Sequence, residues 1–389
     1  MRGRARTGAT RVRSRAVGRA AAVAAVVLTT CAGSARAQDV TGRVAMEAVA
    51  SVSFSSADDG EPFLIFDQVT TVQARPGWDV IVRPWVRRMP GAGWAAEMYQ
   101  LQVRYTSSTR IPVRLDAGII TSPLGLATLE LRPDQNPTIS APFYYFVPLP
   151  AFDGNFDKVT LMSGGYPLGA IVSASGTRWD VRGGVTDATP ARARSVFSRS
   201  KGPSATQFVI GGGITPVAGL RLGGGLSTGR YRIDAASQKN MVIPSGSDGS
   251  EYATGGVIGR GTRLPDERAT LVNVEGEYAI GYTKVSGEFI VDRFETVIRP
   301  AVVRGFNLEA VRTLAPRWFA AGRAVRASTP LLTSTPIARR VTTSTEATMG
   351  YRLSPTLTLR AGYQGSTAFT RPSWEHAIVV SAVWAERWW

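Results

Sequence analysis

The sequence predicts an all-β protein, a transmembrane antiparallel up-and-down β-barrel of about 16 strands. Three observations lead there. A two-residue alternation of apolar and polar side chains recurs from about Gly42 to the end of the 389-residue chain. The connections between alternating segments are short and long by turns. Aromatic residues gather at segment ends, and the chain stops on Trp388-Trp389. A soluble sandwich also alternates, so it is the combination that points to one face in lipid and the other in water.

Residues 1–37 read as an export signal. Arg2 to Arg19 carries seven arginines and no acid, Ala20 to Leu28 is a short apolar run, and Ala35-Arg36-Ala37 is a small-x-small cleavage site. That run is too short to span roughly 30 Å of hydrocarbon as a helix. Leu28-Thr29-Thr30-Cys31 faintly resembles a lipoprotein box, against which Thr30 is large. Cleavage after Ala37 removes Cys31, the one cysteine, so no disulfide is expected. It also removes eight arginines and no carboxylate, lowering the formal net charge from +16 to +8. In an exported protein this balance argues against nucleic acid and biases a pore toward anions. After Gln38 no run of 18 apolar residues occurs, which excludes membrane-spanning helices. Mean hydropathy is near zero, as expected when lipid-facing and lumen-facing residues cancel.

The alternation places strands at 42–54, 63–74, 78–88, 94–106, 111–121, 168–177, 178–187, 206–215, 218–232, 267–280, 282–296, 302–314, 317–327, 340–353, 356–366 and 375–389. The turn Arg75-Pro76-Gly77 divides the second from the third. In 94–106, Tyr99, Leu101, Val103 and Tyr105 oppose Gln100, Gln102 and Arg104. In the next strands Arg114 lies between Val113 and Leu115, Arg182 between Val181 and Gly183, and Arg221 between Leu220 and Leu222. In 267–280, Val272, Val274, Gly276, Tyr278 and Ile280 oppose Leu271, Asn273, Glu275 and Glu277; burying those carboxylates in a soluble core would be very costly. Strands 302–314 and 317–327 separate poorly, and Arg323 fits neither phase. In 340–353, Val341, Thr343, Thr345, Ala347, Met349 and Tyr351 oppose Thr342, Ser344, Glu346, Thr348 and Arg352. In 356–366, Leu357, Leu359, Ala361, Tyr363 and Gly365 alternate with Thr358, Arg360, Gly362, Gln364 and Ser366.

An even count puts both termini on one side, the periplasmic side in bacterial barrels. Short turns fall at 75–77, 107–110, 215–217, 280–281, 315–316 and 354–355; the opposite connections 122–167, 188–205, 233–266 and 328–339 are long. Seven tryptophans (Trp78, Trp94, Trp179, Trp318, Trp374, Trp388 and Trp389), with Tyr282 and Tyr351, stand at strand ends, where interfacial girdles form.

Several segments resemble Gram-negative porins, broadly the phosphate-selective porin O and P family. They are Gly219-Leu220-Arg221-Leu222-Gly223 through Gly229-Arg230-Tyr231, Val274-Glu275-Gly276-Glu277-Tyr278 through Ser286-Gly287-Glu288-Phe289, Ala315-Pro316-Arg317-Trp318-Phe319-Ala320-Ala321-Gly322-Arg323, and Gly350-Tyr351-Arg352-Leu353-Ser354-Pro355. Asp116-Ala117-Gly118 to Ser122-Pro123-Leu124-Gly125-Leu126 is similar to the strand-to-loop transition of such porins. The likeness covers 210–389 loosely and 111–130 weakly, and it implies an outer-membrane diffusion channel. Such porins usually end on phenylalanine, read by the barrel-insertion machinery; here Trp389 stands in that place. Phosphate selectivity depends on channel lysines and arginines that cannot be matched one by one, so it is not carried over.

Catalytic chemistry has little to stand on. His376, the single histidine, adjoins Trp374 and Glu375 with no nucleophile motif, and no Cys/His cluster suggests a metal or cofactor. Gly211-Gly212-Gly213 and Gly223-Gly224-Gly225 lack the lysine and helix of a phosphate loop; they suit bending of the strand, or close approach of a loop from inside the barrel. At 46 residues, 122–167 is too long for an ordinary connection and is the candidate constriction, with Glu130, Arg132 and Asp134 and the anchor Phe143-Tyr144-Tyr145-Phe146; folded inward it narrows the pore, folded outward it caps the mouth. The connection 188–205 offers Arg192, Arg194, Arg199 and Lys201 to anions or acidic headgroups.

The sequence therefore predicts a passive outer-membrane pore with weak anion preference, lined by Arg104, Arg114, Asp116, Asp180, Arg182, Arg221, Glu275, Glu277, Glu288, Arg352 and Arg360. The expected partners are outer-membrane lipid and lipopolysaccharide, the insertion machinery through Trp389, and small solutes, with a homotrimer left open and no nucleic acid. A structural or adhesive barrel with a plugged lumen and a surface hydrolase are the alternatives.

Overall fold

Valine, isoleucine, threonine and aromatic residues alternating with polar ones suit pleated strands whose two faces meet different surroundings. The computed structural model describes residues 44–58, 60–91, 93–126, 132–141, 167–187, 206–232, 267–295, 300–330, 339–367 and 373–388. Sixteen strands are formed: β1 (Val44–Ser55), β2 (Pro62–Arg75), β3 (Trp78–Met89), β4 (Gly93–Thr106), β5 (Val113–Ile119), β6 (Leu168–Ser175), β7 (Trp179–Thr186), β8 (Gln207–Val217), β9 (Leu220–Arg232), β10 (Glu267–Ile280), β11 (Thr283–Phe294), β12 (Ala301–Ala315), β13 (Trp318–Pro330), β14 (Arg339–Arg352), β15 (Leu357–Thr367) and β16 (Trp374–Trp388). Each pairs antiparallel with its sequence neighbours, and β1 pairs with β16 from Met46↔Trp388 to Ser55↔Val379, closing the barrel. Closure satisfies every strand edge, which a sheet in lipid requires.

The expected strand count and order are therefore observed, with boundaries moved by a few residues. The turn placed at 215–217 is one such shift. β8 continues through Pro216 by way of a register irregularity between Ile214 and Val217, and the chain reverses at Ala218-Gly219, with Gly219 at φ +83°. The export signal lies outside the described residues, as do the connections 188–205 and 233–266.

The barrel is polar inside and apolar outside. Val274 is 61% exposed while its strand neighbours Asn273 and Glu275 are 2% and 3% exposed. The same division holds on β14, where Val341 and Met349 are exposed and Thr342, Ser344, Glu346 and Thr348 are buried. Both ends of the described chain, β1's start and β16's finish, share one rim with the short turns; the long connections share the other. The turn rim carries paired aromatics, Trp78 with Tyr105 at 4.9 Å and Trp318 with Tyr351 at 4.7 Å between centroids.

One assignment of face was reversed. Strict alternation places Tyr99 with Leu101 on the lipid face, but Tyr99 is 4% exposed and packs edge-on against Trp85, 5.5 Å between centroids, on the lumen side. Pro84 has no N–H for the ladder, and the register between β3 and β4 shifts at Arg83/Pro84, inserting Tyr99 as an extra residue.

Candidate functional site

The lumen is built from the inward residues of every strand and from part of the long β5–β6 connection. Residues 122–126 lie against the wall at β8–β9. Gly211↔Gly225 and Gly213↔Gly223 face each other there, leaving a floor without side chains. Leu124, fully buried, drops onto it: its Cδ2 fills the space a Cβ on Gly225 or Gly211 would take. The glycine triplets thus receive a loop from inside the barrel, as the sequence suggested.

Residues 132–141 lie against other walls. Pro133 begins a tight turn in which Gln135 and Asn136 amides both donate to the Arg132 carbonyl, 3.0 Å each. Arg132 Nη1 donates to Glu47 Oε2 on β1 at 2.9 Å, and its Nε to Asp134 Oδ1 at 2.9 Å. β1 stands eight strands from β9 in the ring of sixteen, so Leu124 and Arg132 touch opposite walls. Asn136 caps its own loop, accepting from the Thr138 amide at 3.1 Å.

The far wall holds this segment by charge. Arg360 Nη1 on β15 donates to the carbonyls of Asn136 (2.5 Å) and Thr138 (2.7 Å), and its Nε to Ser381 Oγ (3.1 Å). Glu346 on β14 accepts from the amides of Ile139 (2.6 Å) and Ser140 (3.2 Å), from the Ser140 hydroxyl and from Thr348 Oγ1 (2.8 Å). Arg323 on β13 donates to Asn136 Oδ1 (2.9 Å) and the Ser140 carbonyl (2.5 Å), and pairs with Glu309 of β12. Sequence reasoning missed Arg323, Glu309 and Glu346 as site residues; the polar phase of β14 was the available signal for Glu346.

The expected pore-lining residues do face inward, and most are tied to one another. Asp116 accepts from Gln102 (2.8 Å), Arg104 (2.7 Å) and Arg114 (2.8 Å). Arg221 bridges Asp180 (3.0 Å) and Glu275 (2.7 Å), and Arg182 stands 3.8 Å from Glu275. Asn273 Nδ2 links Glu275 and Glu288, at 3.0 and 3.4 Å. Glu277 pairs with Lys284 at 2.6 Å, and Arg352 lies over the Phe319 ring, 5.2 Å from its centroid. Glu130 lies outside the described residues.

A further inward cluster on β2–β4 was not foreseen. Arg83 forks onto Asp67 (2.8 and 2.5 Å) and covers Tyr99, while Arg87 covers Trp85 and stands 3.6 Å from Glu97. His376 stands apart from the lumen, exposed on the outward face, with Tyr363 Oη 2.6 Å from its Nδ1 and Trp374 stacked beside it. The arrangement offers charged, water-compatible walls and a narrowing segment. The buried ions named above are desolvated against partners, whereas Asp292 on β11 is fully buried with neither carboxylate oxygen hydrogen-bonded among the described residues.

No protein-family model and no curated protein matches the sequence. Solved structures match the fold. OprB of Pseudomonas putida superposes with a TM-score of 0.56 at 10% identity, over 89% of this chain and 94% of that one. OmpF of Salmonella typhi, in complex with daunomycin, gives 0.55 at 10% identity over 88% and 97%. OmpT, an outer-membrane protein of Vibrio cholerae, gives 0.51 at 11% identity over 88% and 97%. The chain therefore has the fold of the 16-stranded outer-membrane porin barrels.

Proposed function

We propose that the protein is a passive outer-membrane diffusion channel for small hydrophilic solutes, with a weak anion preference. The observation that carries this reading is the pair of segments 122–126 and 132–141, which touch opposite walls of a polar lumen inside an apolar-faced barrel. They narrow the passage and leave selection to size and to the field of the surrounding charges. Anion preference draws support from Asp116, where one carboxylate holds two arginines; the Arg182–Arg221–Asp180–Glu275 and Arg323–Arg360–Glu309–Glu346 groups balance. The likeness to the phosphate-selective porin O and P family rests on the sequence segments alone.

In this reading the turn rim faces the periplasm and the long connections face outward. Outer-membrane lipid and lipopolysaccharide surround the barrel, and the C-terminal strand engages the insertion machinery. A homotrimer is part of this reading, and a Vibrio cholerae OmpT of the same fold is described in a trimer form. Planar-bilayer recording on the refolded chain tests the channel. Stepwise conductance is expected, with a reversal potential favouring chloride in a salt gradient. A membrane-inserted barrel that conducts nothing would overturn the reading in favour of a plugged structural barrel.

A further inference from the structure

Five consecutive strands each present one exposed arginine on the outward, lipid-side face near the long-connection rim: Arg230 on β9, Arg268 on β10, Arg293 on β11, Arg304 on β12 and Arg326 on β13. Their direction follows from their strand neighbours. Ala269, Asp292, Phe294, Val303, Val325 and Ala327, one residue away, are buried on the lumen side. The register joins them into a belt. Arg230 pairs directly with Arg268; Arg293 faces Thr270, two residues on; Arg304 is two residues from Val302, the partner of Arg293; Arg326 faces Phe306, two residues beyond Arg304. Every arginine is thus directly or diagonally adjacent to the next, within reach of one ligand.

The belt marks an edge of the hydrocarbon. Beneath Arg230 and Arg268 come Thr228 and Thr270, their hydroxyls 3.1 Å apart, and then the apolar pair Leu226 and Val272. On β12, Arg304 and Arg312 lie about 26 Å apart along the strand, bracketing Phe306, Leu308 and Ala310 as the borders of an apolar band. Strands beyond β9 differ. At the same rim β4, β6, β7 and β8 expose Trp94, Leu168, Val185 and Phe208. Water-facing arginines have no reason to line the lipid face of one sector, and lumen solutes cannot reach them. Within the belt a carboxylate stands beside Arg293, Glu295 at 2.7 Å.

We propose that the outward face of β9–β13 is a docking site for the phosphorylated headgroup of an anionic glycolipid in the outer leaflet. Guanidinium groups match phosphate oxygens in paired hydrogen bonds, and the threonine hydroxyls below them suit sugar or ester oxygens. The apolar band beneath receives the acyl chains. This site rests on the outer-membrane orientation given above and gives the lipid partner one sector of the barrel rather than its whole circumference.

The test uses the full-length barrel in neutral detergent micelles, loaded with bisphosphorylated lipid A or with the same glycolipid stripped of phosphate, and native mass spectrometry to count bound lipid. Retention of the phosphorylated form is expected. The variant R268S/R304S/R326S should weaken it on the order of a hundredfold, since each arginine near a charged surface contributes roughly a fivefold factor. R268K/R304K/R326K should keep most of it, and heat-modifiable migration on gels verifies that each variant folds. Equal binding of the phosphate-free glycolipid, or unchanged binding by the folded serine variant, would overturn the site. So would full displacement by millimolar inorganic phosphate, which would reassign the belt to the free anion. A change in oligomeric state of the serine variant, with lipid binding intact, would reassign it to protein contact. Channel conductance is read separately, so failure of the pore reading and failure of this site are distinguishable.

Discussion

Leu124 Cδ2 occupies the room left by the missing side chain of Gly225, where a Cβ would stand 2.4 Å away. The loop segment and the wall are therefore fitted to each other, one large residue against a glycine. Gly225→Ala should displace Leu124 and destabilise the barrel, and Leu124→Ala alone should also cost stability by emptying a buried seat. The double variant should recover part of the loss, a coupling of about 0.5–3 kcal/mol as for residues in contact. Urea unfolding of the four proteins in the cycle measures it. Strict additivity would show that Leu124 does not seat there.

Arg323 is the node of the far wall, with Glu309 on one side and the carbonyl of Ser140 on the other. Arg323→Ala leaves Glu309 buried without this partner, so a loss of about 3–5 kcal/mol is expected. Exchanging both for apolar residues, as in Arg323→Met with Glu309→Leu, should restore much of that stability but not the grip on residues 136–140. Conductance of the double variant should then be larger and noisier than wild type. A quiet channel of unchanged size would mean the segment is held without Arg323.

The fold was legible because lipid on one face and water on the other impose alternation along every strand. Val272 to Ile280 against Leu271 to Glu277 could be read directly. The alternation failed where the lumen wall is itself covered. On β13 the inward residues are Phe319, Ala321, Arg323, Val325 and Ala327, nearly all apolar, because the folded-in segment keeps water from this wall. With Ala320, Gly322 and Ala324 outward, the two faces look alike and Arg323 has no visible phase. Tyr99 was misplaced for a different reason: a local proline shifts the ladder, which periodicity cannot register. Six inward arginines, Arg104, Arg114, Arg182, Arg221, Arg352 and Arg360, were legible but their pairing was not, since partners such as Arg221 and Glu275 are brought together by strand register.

Leu359 and Arg360 stand side by side on β15 and face opposite surroundings. Leu359 is exposed on the lipid face, and Arg360 is buried against the loop carbonyls of Asn136 and Thr138. Leu359→Arg, level with Tyr351 at the turn rim, should cost only about 0–1 kcal/mol, as for an arginine near the interface. Arg360→Ser should leave the barrel assembled while loosening residues 136–138, since Arg360 holds a loop rather than a strand. Unfolding midpoints and single-channel conductance separate the two effects. Loss of barrel assembly by Arg360→Ser would show that Arg360 is structural beyond the loop it holds.

Selectivity follows from how the lumen arginines are shared. Asp116 neutralises one charge between Arg104 and Arg114, and the Arg114 side chain remains about half exposed, at 48%. Arg114→Ser should therefore move the reversal potential toward cations without stopping conductance. Replacing Arg114, Arg182 and Arg221 together should move it further, because loss of Arg221 bares Asp180 and Glu275 to the pore. Both shifts should fade as the Debye length falls from about 10 Å at 0.1 M salt to about 3 Å at 1 M. Measuring reversal potentials across salt gradients at several mean concentrations checks all three statements. A wild-type channel that prefers cations, or a triple variant with unchanged reversal potential, would place the controlling field on the long connections instead of the barrel wall.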